Sequence, residues 1–264
     1  MPTVSLATKH DKARLIAPYL APLGFEVIST DRFDTDSLGT FSGEVERFLS
    51  PQAAALKKAQ HACELSGMDW GLGSEGSFGG GPMPGLMNWN EEILCLYQAS
   101  TTWAIYALAS GPTHLDWFSH DELPDIAQRL EQFVGQHWIL RVDHSIEKGL
   151  TAADILTRLD RQKSPNKHLK IEPDLRAMYC PQRQQMIGQA AQELARRISA
   201  LCPQCKAMNF VVKQKLMGLP CELCHLPTQV AKTLVSVCDH CGYQQEECVN
   251  KKQANAIHCS FCNP

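Results

Sequence analysis

Apolar positions along the first 200 residues come in short runs whose spacing switches between that of strands and that of helices. Thr3-Val4-Ser5-Leu6-Ala7-Thr8 has the pattern of a short buried strand. After Lys9-His10-Asp11-Lys12, a helical stretch carries Leu15, Ile16, Leu20 and Leu23. Pro18 and Pro22 interrupt that helix and Gly24 closes it, before residues 25–28 return to strand. Ser50 as N-cap and Pro51 at the first helical position open an Ala- and Leu-rich helix that runs to Gly67. Trp70-Gly71-Leu72-Gly73-Ser74 predicts a strand ending in a glycine-rich turn, and residues 93–99 and 103–109 predict a hairpin. A helix is expected over 121–134, where Leu123, Ile126, Leu130 and Phe133 share a face. Residues 137–142 and 169–171 read as strands, and 151–159 as a short helix capped by Thr151. A long helix from about Arg183 to Leu201 keeps Ile187, Ala190, Leu194, Ile198 and Leu201 at helical spacing and delivers the chain to Cys202.

This alternation predicts an α/β class: a mixed-sheet domain over residues 1–200, followed by a small region over 201–264 of different character. Cysteine usage makes the division. Residues 1–200 contain Cys63, Cys95 and Cys180, whereas the remainder contains nine cysteines. Eight of these form four Cys-x-x-Cys pairs: Cys202/Cys205, Cys221/Cys224, Cys238/Cys241 and Cys259/Cys262, separated by 15, 13 and 17 residues. A Cys-x-x-Cys turn aims two sulfurs at one point, and two such turns complete a tetrahedral thiolate site suited to zinc. The spacing predicts a tandem zinc ribbon with two structural zinc ions, and Gly242, Pro220 and Pro227 suit tight turns beside the knuckles. Sequential pairing is the economical reading: Cys202, Cys205, Cys221 and Cys224 hold one metal, and Cys238, Cys241, Cys259 and Cys262 the other. A cross-braced arrangement, with the first and third pairs sharing a metal, is the alternative. Iron–sulfur clusters or disulfides compete with zinc. Cys248, His225, His240 and His258 read as ordinary surface or packing residues, and Cys180 has no obvious His partner.

Composition narrows the function classes. Of 264 residues, 44% are apolar and 20% charged, so the chain can bury a core. No apolar run reaches membrane-spanning length, and the N-terminus lacks the basic-then-apolar pattern of a signal peptide, so a cytoplasmic, reducing location is expected. The net charge is −3. Residues 201–264 hold six Lys and four acids, a surplus that two tetrathiolate zinc sites reverse, at about −2 each. No concentrated basic face remains to favour nucleic acid.

Polar clusters in the first domain carry the candidate chemistry. Lys12 follows the first strand where a helix begins, a place for a phosphate, or else a solvated first turn. The segment 34–47 offers Asp34, Asp36, Glu44 and Glu46 among hydroxyls and glycines. It can hold Mg²⁺ while substrate phosphates complete the shell, or serve as a capped loop. Ser74-Glu75-Gly76-Ser77-Phe78-Gly79-Gly80-Gly81-Pro82 puts an acid at a strand's mouth, where α/β folds place ligands. Arg176 and Arg183 flank the start of the long helix. They suit phosphate or carboxylate, or, with Asp174, an ordering pair.

The 34–47 segment, the Ser74–Gly79 turn, the 174–183 segment and the Cys-x-x-Cys pairs resemble an uncharacterised bacterial family of unknown function. Residues 3–80 also resemble the inosine/xanthosine triphosphate pyrophosphatases. The matching order is a strand ending in Thr8 with Lys12 after it, the Phe41/Glu44 loop, an Ala-rich helix with Lys58-Ala59, and the Glu75-Gly76 turn. That resemblance implies that Lys12 contacts phosphate and that Glu75 serves Mg²⁺ or the attacking water. The Glu-Asn pair near the start of that group's helix is replaced here by Ala53-Ala54-Ala55, so that metal ligand is either missing or supplied by Glu44 or Glu46. Three readings follow. One is a Mg²⁺-dependent nucleoside triphosphate pyrophosphohydrolase, with Glu75 and Glu44 at metal or water and Arg176 and Arg183 neutralising phosphate charge. The second is a nucleotide sensor without hydrolysis whose ribbon docks a protein partner. The third is a ribbon-mediated nucleic-acid protein.

Overall fold

The first sheet grows outward from β1 (Thr3–Ala7), whose inner four residues are buried. The structure, a computed structural model, describes residues 2–8, 11–30, 48–79, 81–82, 87–119, 125–161 and 168–264. Acids Asp34, Asp36, Glu44 and Glu46 therefore lie outside the described residues. Two units are present, Met1–Leu194 and Ala195–Pro264.

In the first unit, β2 (Glu26–Thr30) and β3 (Trp70–Phe78) run parallel to β1 on its two sides. Strands β4 (Asn88–Gln98) and β5 (Trp103–Thr113) continue from β3 as an antiparallel meander, giving the order β2-β1-β3-β4-β5. This is the expected mixed sheet. Helix α1 (Ala13–Leu20) joins β1 to β2, and α2 (Pro51–Ser66) precedes β3. Because β2 and β3 flank β1 on opposite sides, right-handed crossovers place α1 and α2 on opposite faces. The connection thus reverses direction between β1 and β3, and the crevice at their carboxyl ends is where open α/β sheets bind ligands.

Glycines in β3 were expected to mark a turn after Ser74. The strand instead continues to Phe78, fully paired with β4 from Trp70↔Gln98 to Phe78↔Asn90. The glycines serve close packing. Ala55, Ala59 and Ala62 form a smooth, fully buried stripe on α2, which lets the helix lie almost on the strand. A Cβ at Gly73 would stand 1.8 Å from the Ala55 carbonyl oxygen, and one at Gly71 2.1 Å from that of Ala59. The obstacle is backbone, so relief requires the whole helix to lift. Gly73→Ala is therefore expected to lower unfolding free energy by about 3 kcal/mol or more, the upper range of overpacking costs. Urea denaturation measures it, and a loss under about 1 kcal/mol would show that α2 is not seated as described.

The rest of the first unit forms a second sheet that the sequence pattern resolves only in part. Its strands are β6 (Phe118–Ser119), β7 (Trp138–Val142), β8 (Ser145–Leu150) and β9 (Leu169–Pro173), in the order β6-β9-β7-β8. Helices α3 (Ile126–Glu131) and α4 (Ala152–Asp160) accompany it. Phe118, Trp138, Leu140, Ile155 and Leu169 make its core. Of the helix expected over 121–134, residues 121–124 lie outside the described residues; the described part is helical over Ile126–Glu131, and the chain turns at Gly135, where φ is +75°. Helix α5 (Pro181–Ser199) begins at Pro181.

The second unit is a three-stranded antiparallel sheet of β10 (Val211–Met217), β11 (Ala231–Val237) and β12 (Gln244–Cys248). Among the described residues no helix is long and apolar enough to cross a membrane.

Candidate functional site

Strand alternation sorts the polar residues at the β1/β3 crevice onto two faces. Gly71, Gly73 and Glu75 face α2, whereas Ser74 and Gly76 face the side that carries Lys12 and Arg183. Pairing with β1 reaches only Leu72. Beyond it the edge of β3 borders the crevice, and side chains from both faces converge there.

On the Ser74 face, the Nζ of Lys12 donates to Ser74 Oγ at 3.0 Å, both side chains being buried. Arg183, from α5, donates through Nε to Glu92 Oε1 at 2.5 Å and through Nη1 to the Leu175 carbonyl at 2.7 Å. Glu92 stands opposite Gly76 in the β3–β4 ladder. A Cβ at Gly76 would fall 2.3 Å from the Glu92 carboxylate, so glycine makes room for this ion pair. Glu92 is completely buried, and its Oε2 has no hydrogen-bond partner among the described residues. Two positions along the same face, Asn90 is 1% exposed with both amide atoms equally unpartnered. On the other face, Lys58 of α2 forms an ion pair with Glu75.

Three cations and two carboxylates thus share a nearly dry volume. Burial, then the Arg183 guanidinium, with Lys58 adding to them, holds the Lys12 amine down to about 7, against the opposing pull of Glu92 and Glu75. In the unfolded chain this amine titrates near 10.5. Between these values the unfolded state binds more protons, so Lys12 makes the fold more stable as pH rises from about 7 toward 10.5, and its burial costs most below 7. Lys12→Met should accordingly stabilise the protein most at pH 6, with the gain shrinking by pH 10. Thermal unfolding across that range checks it, and a gain independent of pH would contradict the buried, depressed amine.

Sequence reasoning placed Lys12, Glu75 and Arg183 in the chemistry, and the structure brings all three to this crevice. Glu75 lies within β3 rather than in a turn. Arg176 is engaged elsewhere: Asp174, 1% exposed, accepts from its Nε at 3.0 Å and its Nη2 at 2.6 Å, and its guanidinium lies over the Tyr179 ring. That is the arrangement expected of the ordering pair. Asn90 and Glu92 escaped the sequence reading because they precede the 93–99 run read as a strand, whereas β4 begins at Asn88. Lys58 was matched within the alanine-rich helix but assigned no role of its own.

The cysteines gather into two groups, Cys202, Cys205, Cys238 and Cys241, and Cys221, Cys224, Cys259 and Cys262. The economical sequential pairing is thereby corrected to the cross-braced one. The sheet is the reason. Antiparallel pairing of Val211 with Val237, and of Val237 with Gln244, brings the first and third knuckles to one end. The opposite end, where Met217 pairs with Ala231, leads to the second knuckle, and a bridge from Cys221 to Ala254 draws in the fourth. The 15 residues between the first two knuckles hold one strand, β10, which carries the second knuckle a strand's length away from the first instead of folding it back.

Within the groups, Sγ–Sγ distances are 3.7 Å for Cys202–Cys241, 3.5 Å for Cys205–Cys238, 3.9 Å for Cys221–Cys262 and 3.5 Å for Cys224–Cys259. A disulfide needs about 2.05 Å. Metal–sulfur bonds of about 2.3 Å give a tetrahedral edge near 3.8 Å, so the donors fit two tetrathiolate metal ions. Knuckle geometry agrees: the residue four after each leading cysteine returns its N–H to that cysteine's carbonyl. Lys206, His225 and Gly242 accordingly take positive φ. Backbone N–H groups of Cys262 and Phe261 aim at Cys259 and hold its thiol down to about 7, favouring the thiolate a metal requires. Neither group includes His225, His240, His258 or the exposed Cys248. Cys180 is fully buried and burial pushes its thiol up, which suits packing rather than nucleophilic chemistry.

A family described as a domain of unknown function (DUF6671) matches residues 58–264. No curated protein matches the chain.

Proposed function

This chain belongs to the DUF6671 family, whose description assigns no activity, and we propose that it is a Mg²⁺-dependent nucleoside triphosphate pyrophosphohydrolase stabilised by two structural zinc ions. The observation that carries the reading is the buried Lys12, Ser74, Lys58, Glu75, Glu92 and Arg183 cluster at the β1/β3 switch point. A polyanion entering there meets Lys12, Lys58 and Arg183, buried cations that water screens little. Lys58 and Arg183 are fixed by carboxylates, so they supply a preset positive potential without having to move. Glu75, held by Lys58, is the acid that orients the attacking water. Mg²⁺ would be held by Asp34, Asp36 and Glu44, whose hard oxygens suit it, and would draw charge off the phosphates. Closed tetrathiolate coordination supports zinc in a structural role, because four protein ligands leave no position for water.

Glu75→Gln keeps the side chain's shape and removes its charge. It should lower kcat for the cleaved nucleotide by about 10²-fold or more. Steady-state kinetics with Mg²⁺ test this, and a kcat within threefold of the parent would remove Glu75 from the reaction.

A second reading is nucleotide sensing without hydrolysis. It is favoured by one observation: Glu75 and Glu92 are each already paired with a buried cation. In that reading a protein partner meets the second unit beside the exposed Leu223, Ile257 and Phe261.

A further inference from the structure

The Ser74 hydroxyl accepts its hydrogen bond from an amine, and nothing in the proposed reaction uses it as a nucleophile. Serine is a weak nucleophile until a base within hydrogen-bond reach can take its proton, and an amine does this only when it can be neutral. From the 3.0 Å contact between Lys12 Nζ and Ser74 Oγ, buried together where β1 ends beside β3, we infer that Ser74 and Lys12 form a nucleophile–base dyad that attacks a phosphoric anhydride. The inference rests on the pyrophosphohydrolase reading and gives it a covalent course.

Position and surroundings support the dyad independently. Ser74 is the central residue of β3, past the end of its pairing with β1 and on the same face as Gly76. Lys12 sits at the N-cap of α1 and makes no capping hydrogen bond with its side chain, which is turned to Ser74. The charged groups around the amine come from every element packed there: Arg183 from α5, Glu92 from β4, Glu75 from β3 and Lys58 from α2. With burial, the two cations outweigh the two acids and make the neutral amine accessible near neutral pH. A structural lysine needs no such environment.

Lys12 takes the hydroxyl proton as the Oγ–Pα bond forms. The bond from Pα to the bridging oxygen breaks, and its electron pair leaves on pyrophosphate, which receives the proton from Lys12. Water then adds to the phosphorus and the Oγ–P bond breaks. The proton lost by the water returns through Lys12 to Ser74 Oγ, leaving the nucleoside monophosphate and the original hydroxyl. While protonated, Lys12 is also the cation beside the reacting phosphate.

A fluorophosphonate, a phosphoryl electrophile that needs no nucleotide recognition, tests the dyad separately from the substrate. Intact mass and peptide mapping should show one adduct, on Ser74, forming faster as pH rises through 7. Ser74→Ala should abolish it, and Lys12→Met should slow it at least 100-fold while the protein stays folded by circular dichroism. If Ser74→Ala fails to fold, Ser74→Cys serves instead: its alkylation by iodoacetamide should rise with pH through 7, and Lys12→Met should move that rise to the higher pH at which a buried thiol ionises unaided. No adduct on Ser74, or labelling indifferent to Lys12→Met, would overturn the dyad. In that event pyrophosphate release by wild-type protein would still leave the hydrolase reading standing with water as nucleophile, so the two fail separately.

Discussion

Replacing Cys259 and Cys262 together by serine should make Cys221 and Cys224 reactive toward alkylating reagents, while Cys202, Cys205, Cys238 and Cys241 stay protected. The cross-braced grouping requires this outcome, because the lost sulfurs share a site with the second knuckle. Sequential pairing requires the reverse, with Cys238 and Cys241 set free. Metal content should fall from two ions per chain to one. The effect on folding is large: apparent binding energies of structural zinc sites are about 10–16 kcal/mol, and a small sheet has little core to replace them. Val235, with Val211 and Leu219, is among the few buried aliphatic residues of the second unit. The fourth knuckle and the Cys221–Ala254 bridge should therefore lose order, while the end of the sheet held by the first and third knuckles survives. Alkylation followed by mass mapping distinguishes the two outcomes at single-cysteine resolution.

Glu92→Leu should cost the first unit about 3–5 kcal/mol, the usual penalty for removing one partner of a buried ion pair. The side chains of Arg183 and Glu92 are 3% and 0% exposed, so Arg183 would lose its carboxylate without gaining water. The double variant Glu92→Leu/Arg183→Met should recover most of that loss, since apolar groups of similar volume satisfy such a site about as well as the pair does. A cost equal for the single and double variants would mean that the pair is not coupled. Retention of so expensive a pair next to Gly76, where any other residue would clash with it, suits a place where charge is used rather than merely packed.

The sequence made the first three strands and α2 legible because their signals are local: a β-branched run, a Ser-Pro start and a glycine stop. It misplaced the end of β3 because Gly76 and Ser77 look like a turn. Their meaning lies in Glu92 and Arg183, 16 and 107 positions away in the chain. Strand β8 was invisible because its first three residues are exposed and its run includes Glu147 and Lys148, so it lacks an apolar alternation. The cysteine ligands were readable from spacing, but their pairing was not. Which knuckles meet depends on the length and direction of β10, β11 and β12, and those are set by ladder register rather than by the gaps between cysteines. The site was half legible for a related reason. Lys12 and Glu75 follow recognisable elements, whereas Asn90, Glu92 and Lys58 gain significance only from burial in three dimensions.

Phosphorus NMR of the full chain with Mg²⁺ and each common and deaminated nucleoside triphosphate in turn tests the central claim most directly, because it reports which phosphate bond is cut. The account predicts that at least one triphosphate yields monophosphate and pyrophosphate in equimolar amounts, the pyrophosphate signal being twice the monophosphate's, and that Glu75→Gln nearly abolishes both. Absence of both signals for every triphosphate, with fully metal-loaded and folded protein, would contradict it.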